Sequence, residues 1–399
     1  NTSRTPERTL ASLTPLNGVC YVAGLTRPEA SVTGMETSCM LTSLGLENYR
    51  GFPKYSLGGL SRVNLLVGKN NCGKTSLLEG IHLLASGGEP GVLASAALGR
   101  GEVQVVGDQR EPYRREGHPV VTHFFFGHEL APDVCFRVRS GDGLGEVAVR
   151  IVAASALDEQ RGLFEDAEAA ASSLALQVER SSPAGARQQP IFPLTDEGAI
   201  PREVLFRYQR LARQDRGQLV PVQLISPDSL EPRSMSDMWD KVIHEGREAE
   251  VIEAMQILEP RVTGIFFLVG ETYQRFASRA GVLLGFEGRR ERLPLGSYGE
   301  GMRRLLALSL SLMRTERGVL LIDEIDTGLH YSVMGDMWRL VVESARRWDI
   351  QVFATTHSFD CVRGLAWLCE NYPALGEDVS VQKIETALQE AVPFLSLIH

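Results

Sequence analysis

Lysine is the scarcest charged residue of this chain. Only Lys54, Lys69, Lys74, Lys241 and Lys383 occur among 399 residues, so arginine carries most of the basic charge. The formal net charge of -9 argues against a protein that coats nucleic acid without selection, although it leaves room for a local basic surface. Cysteine is sparse too. Cys20, Cys39, Cys72, Cys135, Cys361 and Cys369 show no CxxC spacing, which argues against a disulfide framework and a cysteine-based zinc module and fits a reducing cytoplasm. No apolar run approaches the roughly 18 residues that a membrane-spanning helix needs. The most apolar stretch, Leu305 to Met313, carries two serines and suits a buried helix. A basic segment followed by an apolar one is missing at the start, so no signal peptide is read. No repeat of solenoid period is found. What is present is ordinary globular material, 43% hydrophobic and 23% charged, in a chain long enough for one large or two ordinary domains.

Two of the five lysines stand in one stretch, Gly68-Lys69-Asn70-Asn71-Cys72-Gly73-Lys74-Thr75. An apolar strand, Val63 to Val67, precedes it, and an amphipathic run with Leu77, Leu78, Ile81 and Leu84 follows. This strand, GxxxxGK[ST], helix order is that of a phosphate-binding loop. Glycine is needed because backbone N–H groups must close around a di- or triphosphate. Lys74 would reach the β- and γ-phosphates, Thr75 would ligate Mg²⁺, and the helix start adds partial positive charge.

A second informative region is the apolar strand Gly318-Val319-Leu320-Leu321-Ile322, ending in Asp323-Glu324. Acids at the C-terminal end of a parallel strand project into the crevice where ligands lie. Asp323 would hold Mg²⁺, and Glu324 would orient and deprotonate the attacking water. A third strand, Ile350 to Thr356, delivers His357 as a candidate to meet the γ-phosphate or that water. The turn Ser297-Tyr298-Gly299-Glu300-Gly301 opens a strongly apolar helix. With Ser297 expected at its N-cap, the turn offers another anion site at a helix start. A second such site beside one phosphate loop suggests a nucleotide sandwiched between two copies of the chain.

In chain order, residues 1–39 read as an N-terminal extension, expected to be poorly ordered, with Met35 and Met40 both open as starts. Residues 40–150 form the N-terminal lobe with the phosphate loop and an antiparallel sheet. Strands are expected near 41–49, 102–106, 120–126, 134–138 and 145–152, and the first should pair with the phosphate-loop strand in a hairpin-like way. Residues 151–230 read as a mainly helical insertion. Ala154 to Arg180 is rich in Ala, Glu and Leu, a linker-like stretch runs to Pro193, and Arg202 to Arg213 is again helical. Residues 231–399 form the C-terminal lobe, with helices at 236–244 and 249–258, strands at 262–269 and 282–286, and one more strand at 378–384. Arg289, Arg290, Arg292, Arg303 and Arg304 gather around the 297–301 turn as a candidate basic face.

The order GKNNCGKT, LGSYGEG, GVLLIDEID and ATTHS resembles the nucleotide-binding domain of ABC-type ATPases, in the soluble branch with the SMC, RecF and overcoming-lysogenisation-defect (OLD) proteins. Leu46 to Phe52 is similar to that branch's first strand. The resemblance implies an α/β P-loop ABC-type ATPase head, with a mixed or parallel core sheet, an antiparallel β subdomain and a helical insertion. It makes Gly68, Gly73, Lys74 and Thr75 the Walker A set, within a nucleotide-binding stretch that includes Asn70, Asn71, Cys72 and Ser76. It makes Ser297, Gly299, Glu300 and Gly301 the signature, Asp323 and Glu324 Walker B, Asp326 to His330 the D-loop, and His357 the switch histidine. Arg50 resembles the branch's early arginine near the nucleotide. The SYGEG signature is usual for OLD-like chains and unusual for transporter subunits. The Q-loop glutamine has no clear position: Gln104 is one candidate, and the Phe124 to His128 turn another occupant of that region.

No segment is long enough for SMC arms, and the 42 residues after His357 leave no room for a Toprim nuclease. The expected protein is a cytoplasmic ATPase using ATP and Mg²⁺. Its ATP-dependent homodimerisation would serve as a switch for DNA or a separate effector protein, in phage defence by family analogy, with no membrane partner. The alternatives are a RecF-like DNA-binding scaffold with incidental turnover and, more remotely, a transporter ATPase.

Overall fold

A computed structural model describes residues 19–20, 40–106, 116–141, 143–154, 173–182, 185–188, 191–212, 220–268 and 281–385. Its centre is a six-stranded sheet. From one edge to the other run Val19–Cys20, Val379–Lys383, Val63–Val67, Gln351–Thr356, Val319–Ile322 and Val222–Ile225. All neighbours are parallel except Val19–Cys20, which pairs antiparallel with Val381 and Gln382. These strands read as near-continuous apolar runs because both faces are covered, as parallel sheets require. The period of two still decides which side chain goes where. Leu66, Leu321 and Phe353 enter one core, while Val63, Leu65, Leu320, Ile322, Val352 and Ala354 enter the other.

The first core is closed by the helix Lys74–Ala85 and by an antiparallel sheet. That sheet orders Gly185–Gln188, Leu174–Ser182, Glu146–Ala153, Cys135–Ser140, Ser43–Tyr49 and Phe52–Gly58, with Phe192–Pro193 added against Leu174–Ser182. The second core holds the helices Pro232–His244, Glu300–Arg314 and Met334–Arg347. A three-stranded sheet of Val262–Phe267, Val282–Phe286 and Leu293–Pro294 lies beside them. The chain is thus α/β, with a parallel core sheet and separate antiparallel sheets. No described helix is long and apolar enough to cross a membrane.

Several expected elements differ. The chain turns at Arg50 and Gly51 and returns at once as Phe52–Gly58, so this strand, and not Val63–Val67, is the hairpin partner of Ser43–Tyr49. Phe52–Gly58 is an edge strand, where Pro53 costs no ladder bond. Of the strand expected at 120–126, residues Thr122–Phe124 and Phe126–His128 are short 3₁₀ turns. Val103–Val106 pairs instead with Glu116–Pro119.

The helical reading of 154–180 fails over Leu174–Ser182, a strand paired along its length with Glu146–Ala153. Ala175, Leu176 and Val178 are fully buried there, so packing overrides the helical composition. Residues 155–172 lie outside the described residues, as does most of the 1–39 extension. The linker-like stretch contains paired strands at 185–188 and 192–193. Within 151–230 the described helix is Arg202–Ala212.

One buried side chain ties the two cores. Gln351 donates to the carbonyls of Leu41 (2.8 Å) and Ser61 (2.9 Å) and accepts from the Leu41 N–H (2.8 Å). Gln351→Ala leaves those main-chain groups buried without partners and should cost about 2–3 kcal/mol. Urea unfolding would show this as a lowered midpoint; an unchanged midpoint would contradict it.

Candidate functional site

Parallel pairing sets Val67 opposite Thr356 and Ile322 opposite Ala354. The residues that follow, Gly68, His357 and Asp323, therefore leave the sheet at the same edge. Thr75, first-turn residue of the loop helix, donates its hydroxyl to Asp323 Oδ2 at 2.9 Å. Thr355 donates to Asp323 Oδ1 at 2.5 Å and accepts the Glu324 N–H at 2.8 Å. Asp323 is buried, and both its oxygens are fixed from two different elements. Thr356 holds Asp326 Oδ1 at 2.6 Å in the same way.

Within the loop, the Lys74 ammonium donates to the carbonyls of Gly68 and Lys69, each at 2.9 Å. Asn70 and Asn71 are exposed at its crest, whereas the Cys72 side chain turns inward and is buried. Gly73 has φ +96°, and a Cβ there would lie 2.3 Å from the Phe52 ring. A Cβ at Gly68 would lie 2.7 Å from the Ile384 carbonyl oxygen. Backbone conformation and crowding from beneath both demand glycine here. Ser76 faces away from the crest, accepting from Arg100 Nη2 at 3.1 Å.

Glu324 stands in the left-handed region at φ +48°. Its Oε1 is 3.8 Å from His357 Nδ1, and its Oε2 accepts from Thr327 Oγ1 at 3.3 Å. Both Glu324 and His357 are substantially exposed, as groups that meet a ligand must be. The structure thus brings together Thr75, Asp323, Glu324 and His357.

Ser297 is not the N-cap expected of it. It lies exposed in the 3₁₀ turn Leu295–Tyr298, and Gly299 caps the helix Glu300–Arg314 without a side-chain hydrogen bond. Gly299 has φ 85° and ψ 177°, a conformation essentially reserved for glycine, so the turn presents bare backbone. Glu300 pairs with Arg303. Gly301 is buried against the 326–330 loop, where a Cβ would meet the Gly328 carbonyl oxygen at 2.6 Å.

Arg50 is set among charges of its own lobe. Its Nη1 donates to Glu102 Oε1 at 2.8 Å, its Nε is 2.8 Å from Glu79 Oε2, and its guanidinium carbon lies 4.0 Å over the Phe124 ring. The Nε approach to Glu79 is close but off the hydrogen-bonding direction, which leaves Arg50 Nε and Nη2 buried without hydrogen bonds. Burial pushes the Glu79 carboxyl up, against the opposing pull of Arg50 and Arg100. Glu79 belongs to the loop helix, so Arg50 braces that helix from behind. Gln104 accepts a hydrogen bond from Thr195 at 2.8 Å.

The expected basic face does not form as a unit. Arg304 is buried, Arg303 is paired with Glu300, and Arg292 packs over Phe266 at 3.5 Å. Arg289 and Arg290 remain exposed in the same turn as Arg292. Arg304 instead joins the site from inside. It donates to the main-chain carbonyls of Ser226, Asp323 and Glu324, the last at 2.9 Å, and burial lowers its pKa to about 10. Sequence reasoning missed this residue and Thr355. Two threonines at the end of an otherwise apolar buried strand were the available signal for Thr355. Arg304 carried none, because its helix is buried on nearly all sides and no face could be distinguished.

Sheet, phosphate loop and acidic strand end together resemble an AAA-type P-loop ATPase domain. Residues 165–360, just under half of the chain, match the family described as "AAA domain, putative AbiEii toxin, Type IV TA system". The match includes the 297–301 turn, Asp323, Glu324 and His357 but not the phosphate loop. An "ATP/GTP phosphatase" of Helicobacter pylori is 19% identical over 339 residues, 80% of this chain and 85% of that protein. A "DNA replication and repair protein RecF" of Acinetobacter baylyi is 45% identical over 47 residues, which is 12% of this chain and 13% of that protein. Among solved structures, an SMC head bound to the C-winged helix domain of ScpA aligns at 15% identity over 81% of this chain and 92% of that one, with a TM-score of 0.41.

Gly73→Ala adds both backbone strain of about 1–3 kcal/mol and the Phe52 overlap. Because Gly73 is part of the loop, the change should weaken binding of a fluorescent ATP analogue by roughly tenfold or more. Gly51→Ala, which meets nothing within 4 Å, is the control and should leave affinity unchanged. Equal affinities for the two variants would show that the loop does not bind phosphate.

Proposed function

We propose that the chain is a Mg²⁺-dependent ATPase whose working site is completed by a second copy, and that nucleotide occupancy switches its engagement with a partner protein. The observation that carries this is the 2.9 Å pairing of Thr75 with Asp323, which joins the phosphate loop to the acidic strand end. A hydroxyl and a carboxylate oxygen brought side by side are hard oxygen donors of the kind that Mg²⁺ takes. Thr75 and Asp323 would hold the ion, which when bound would supply positive charge against the negative charge that develops on the phosphates.

The chain's own residues supply the rest. Lys74 and the N–H groups of 68–75 hold the β- and γ-phosphates. Glu324 orients a water and accepts its proton as the oxygen attacks the γ-phosphorus and the bond to the β-bridging oxygen breaks, giving ADP and phosphate. His357, 3.8 Å from Glu324, is placed to hydrogen-bond the γ-phosphate or that water. The exposed turn of Ser297 and Gly299 offers backbone donors at a helix start, suited to the nucleotide of a second copy.

Between the two expected partners, a protein effector is favoured over duplex DNA. Of the five arginines that would have met phosphates, Arg304 is buried and Arg303 is paired with Glu300, which leaves only the single turn of Arg289, Arg290 and Arg292 exposed, and the chain is acidic. The toxin–antitoxin wording of the matched family supports a two-component setting, and the use in phage defence is proposed within it.

Lys74→Ala should abolish ATP binding, whereas Ser297→Arg should preserve binding and prevent a rise in mass with ATP. Glu324→Gln should bind ATP, accumulate as a dimer and turn over on the order of 10²–10⁴-fold more slowly. Light scattering and ATP-analogue titration on the three variants check this. No change of mass with ATP in Glu324→Gln, or equal loss of nucleotide by Lys74→Ala and Ser297→Arg, would contradict the two-copy site.

A further inference from the structure

Glu324 has an unusual backbone for the residue that must aim at water. A non-glycine residue at φ +48° is strained and persists only where its surroundings over-determine it. Thr355 holds the N–H entering Glu324. The two carbonyls that flank it, of Asp323 and of Glu324 itself, both accept from Nη2 of Arg304. Nη1 of the same guanidinium reaches the Ser226 carbonyl, at the end of the neighbouring strand Val222–Ile225.

We infer that Arg304 is a positioning residue, which sets the direction of the Glu324 carboxylate by fixing the peptide groups on both sides of it. This rests on the proposed role of Glu324 in ordering the attacking water. The two outer nitrogens of the planar fork reach different segments, Nη1 the Ser226 carbonyl and Nη2 the carbonyls of Asp323 and Glu324, a span that one ammonium nitrogen does not have. The side chain is 2% exposed, and its hydrogen bonds go to main-chain oxygens.

Arg304 also belongs to the helix Glu300–Arg314, which opens with the Gly299–Gly301 turn. That turn packs directly on the loop after Glu324, with Gly301 against the Gly328 carbonyl and Gly328 against the Glu300 side chain. The helix start and the acidic turn are therefore mechanically one block.

The test is kinetic. Arg304→Lys keeps the charge but ends in a single nitrogen that cannot span the Ser226 carbonyl and the Asp323 and Glu324 carbonyls together, and it should lower kcat on the order of 10–100-fold while ATP affinity stays within about twofold. In a Glu324→Gln background the same substitution should have no further effect on the residual rate, because Arg304 acts only through the carboxylate. Thermal melts verify the fold, and if the lysine variant does not fold, Arg304→Gln carries the same comparison. Parallel loss of affinity and rate, or an equal further loss in the Glu324→Gln background, would overturn the positioning role. Full turnover by Glu324→Gln alone would instead refute the proposed catalytic role of Glu324, which separates the two failures.

Discussion

The Asp323 carboxylate, held between the hydroxyls of Thr75 and Thr355, is the interaction on which the site depends. It joins three chain segments far apart in sequence, and it forms because Val63–Val67, Gln351–Thr356 and Val319–Ile322 run parallel, with Ile322 opposite Ala354 so that Asp323 comes beside Thr355. An antiparallel strand anywhere in that trio would send one of the segments to the opposite edge. Two apolar cores, one on each face, keep the strands in place. The polar groups at their ends therefore approach one another without freedom to drift. A buried carboxylate with both oxygens engaged by neutral donors is also poised to exchange a hydroxyl proton contact for a cation.

Around that interaction the structure separates rigid from exposed groups. Asp323, Thr355 and Arg304 are buried and hold one another, while Thr75, Glu324 and His357 reach the surface. The strained φ of Glu324 lies at the boundary between the two sets. Backbone strain is retained where the surrounding structure enforces it, and here the enforcement comes from a strand on one side and a helix on the other. Behind the loop helix, Arg50, Glu79, Arg100 and Glu102 form a second charged layer, which stiffens the helix that carries Lys74 and Thr75.

Much of the placement was legible in the residues. The stretch 63–75 and the run 319–324 each combine an apolar strand with polar residues at its end, and the structure brings those ends together. His357 follows a third such strand and lies beside Glu324. Features set by tertiary contact were not legible. Leu174–Ser182 has a helical composition and becomes a strand because a neighbour supplies its hydrogen bonds. Phe52–Gly58 begins with a Phe-Pro pair that resembles a stop, and only its edge position makes it a strand. Arg304 looked like one of five surface arginines, since charge alone does not show which side of a fully packed helix a residue occupies. Ser297 looked like a cap, but the glycine after it adopts the conformation that starts the helix.

The central claim is that Thr75 and Asp323 form one metal and nucleotide site with the loop. Electron paramagnetic resonance of Mn²⁺, titrated against the protein with and without ATP, tests it most directly. Asp323→Ala should abolish the ATP-dependent binding of Mn²⁺ while metal-free ATP binding remains. Unchanged Mn²⁺ binding in that variant would mean that the two segments meet for structural reasons alone.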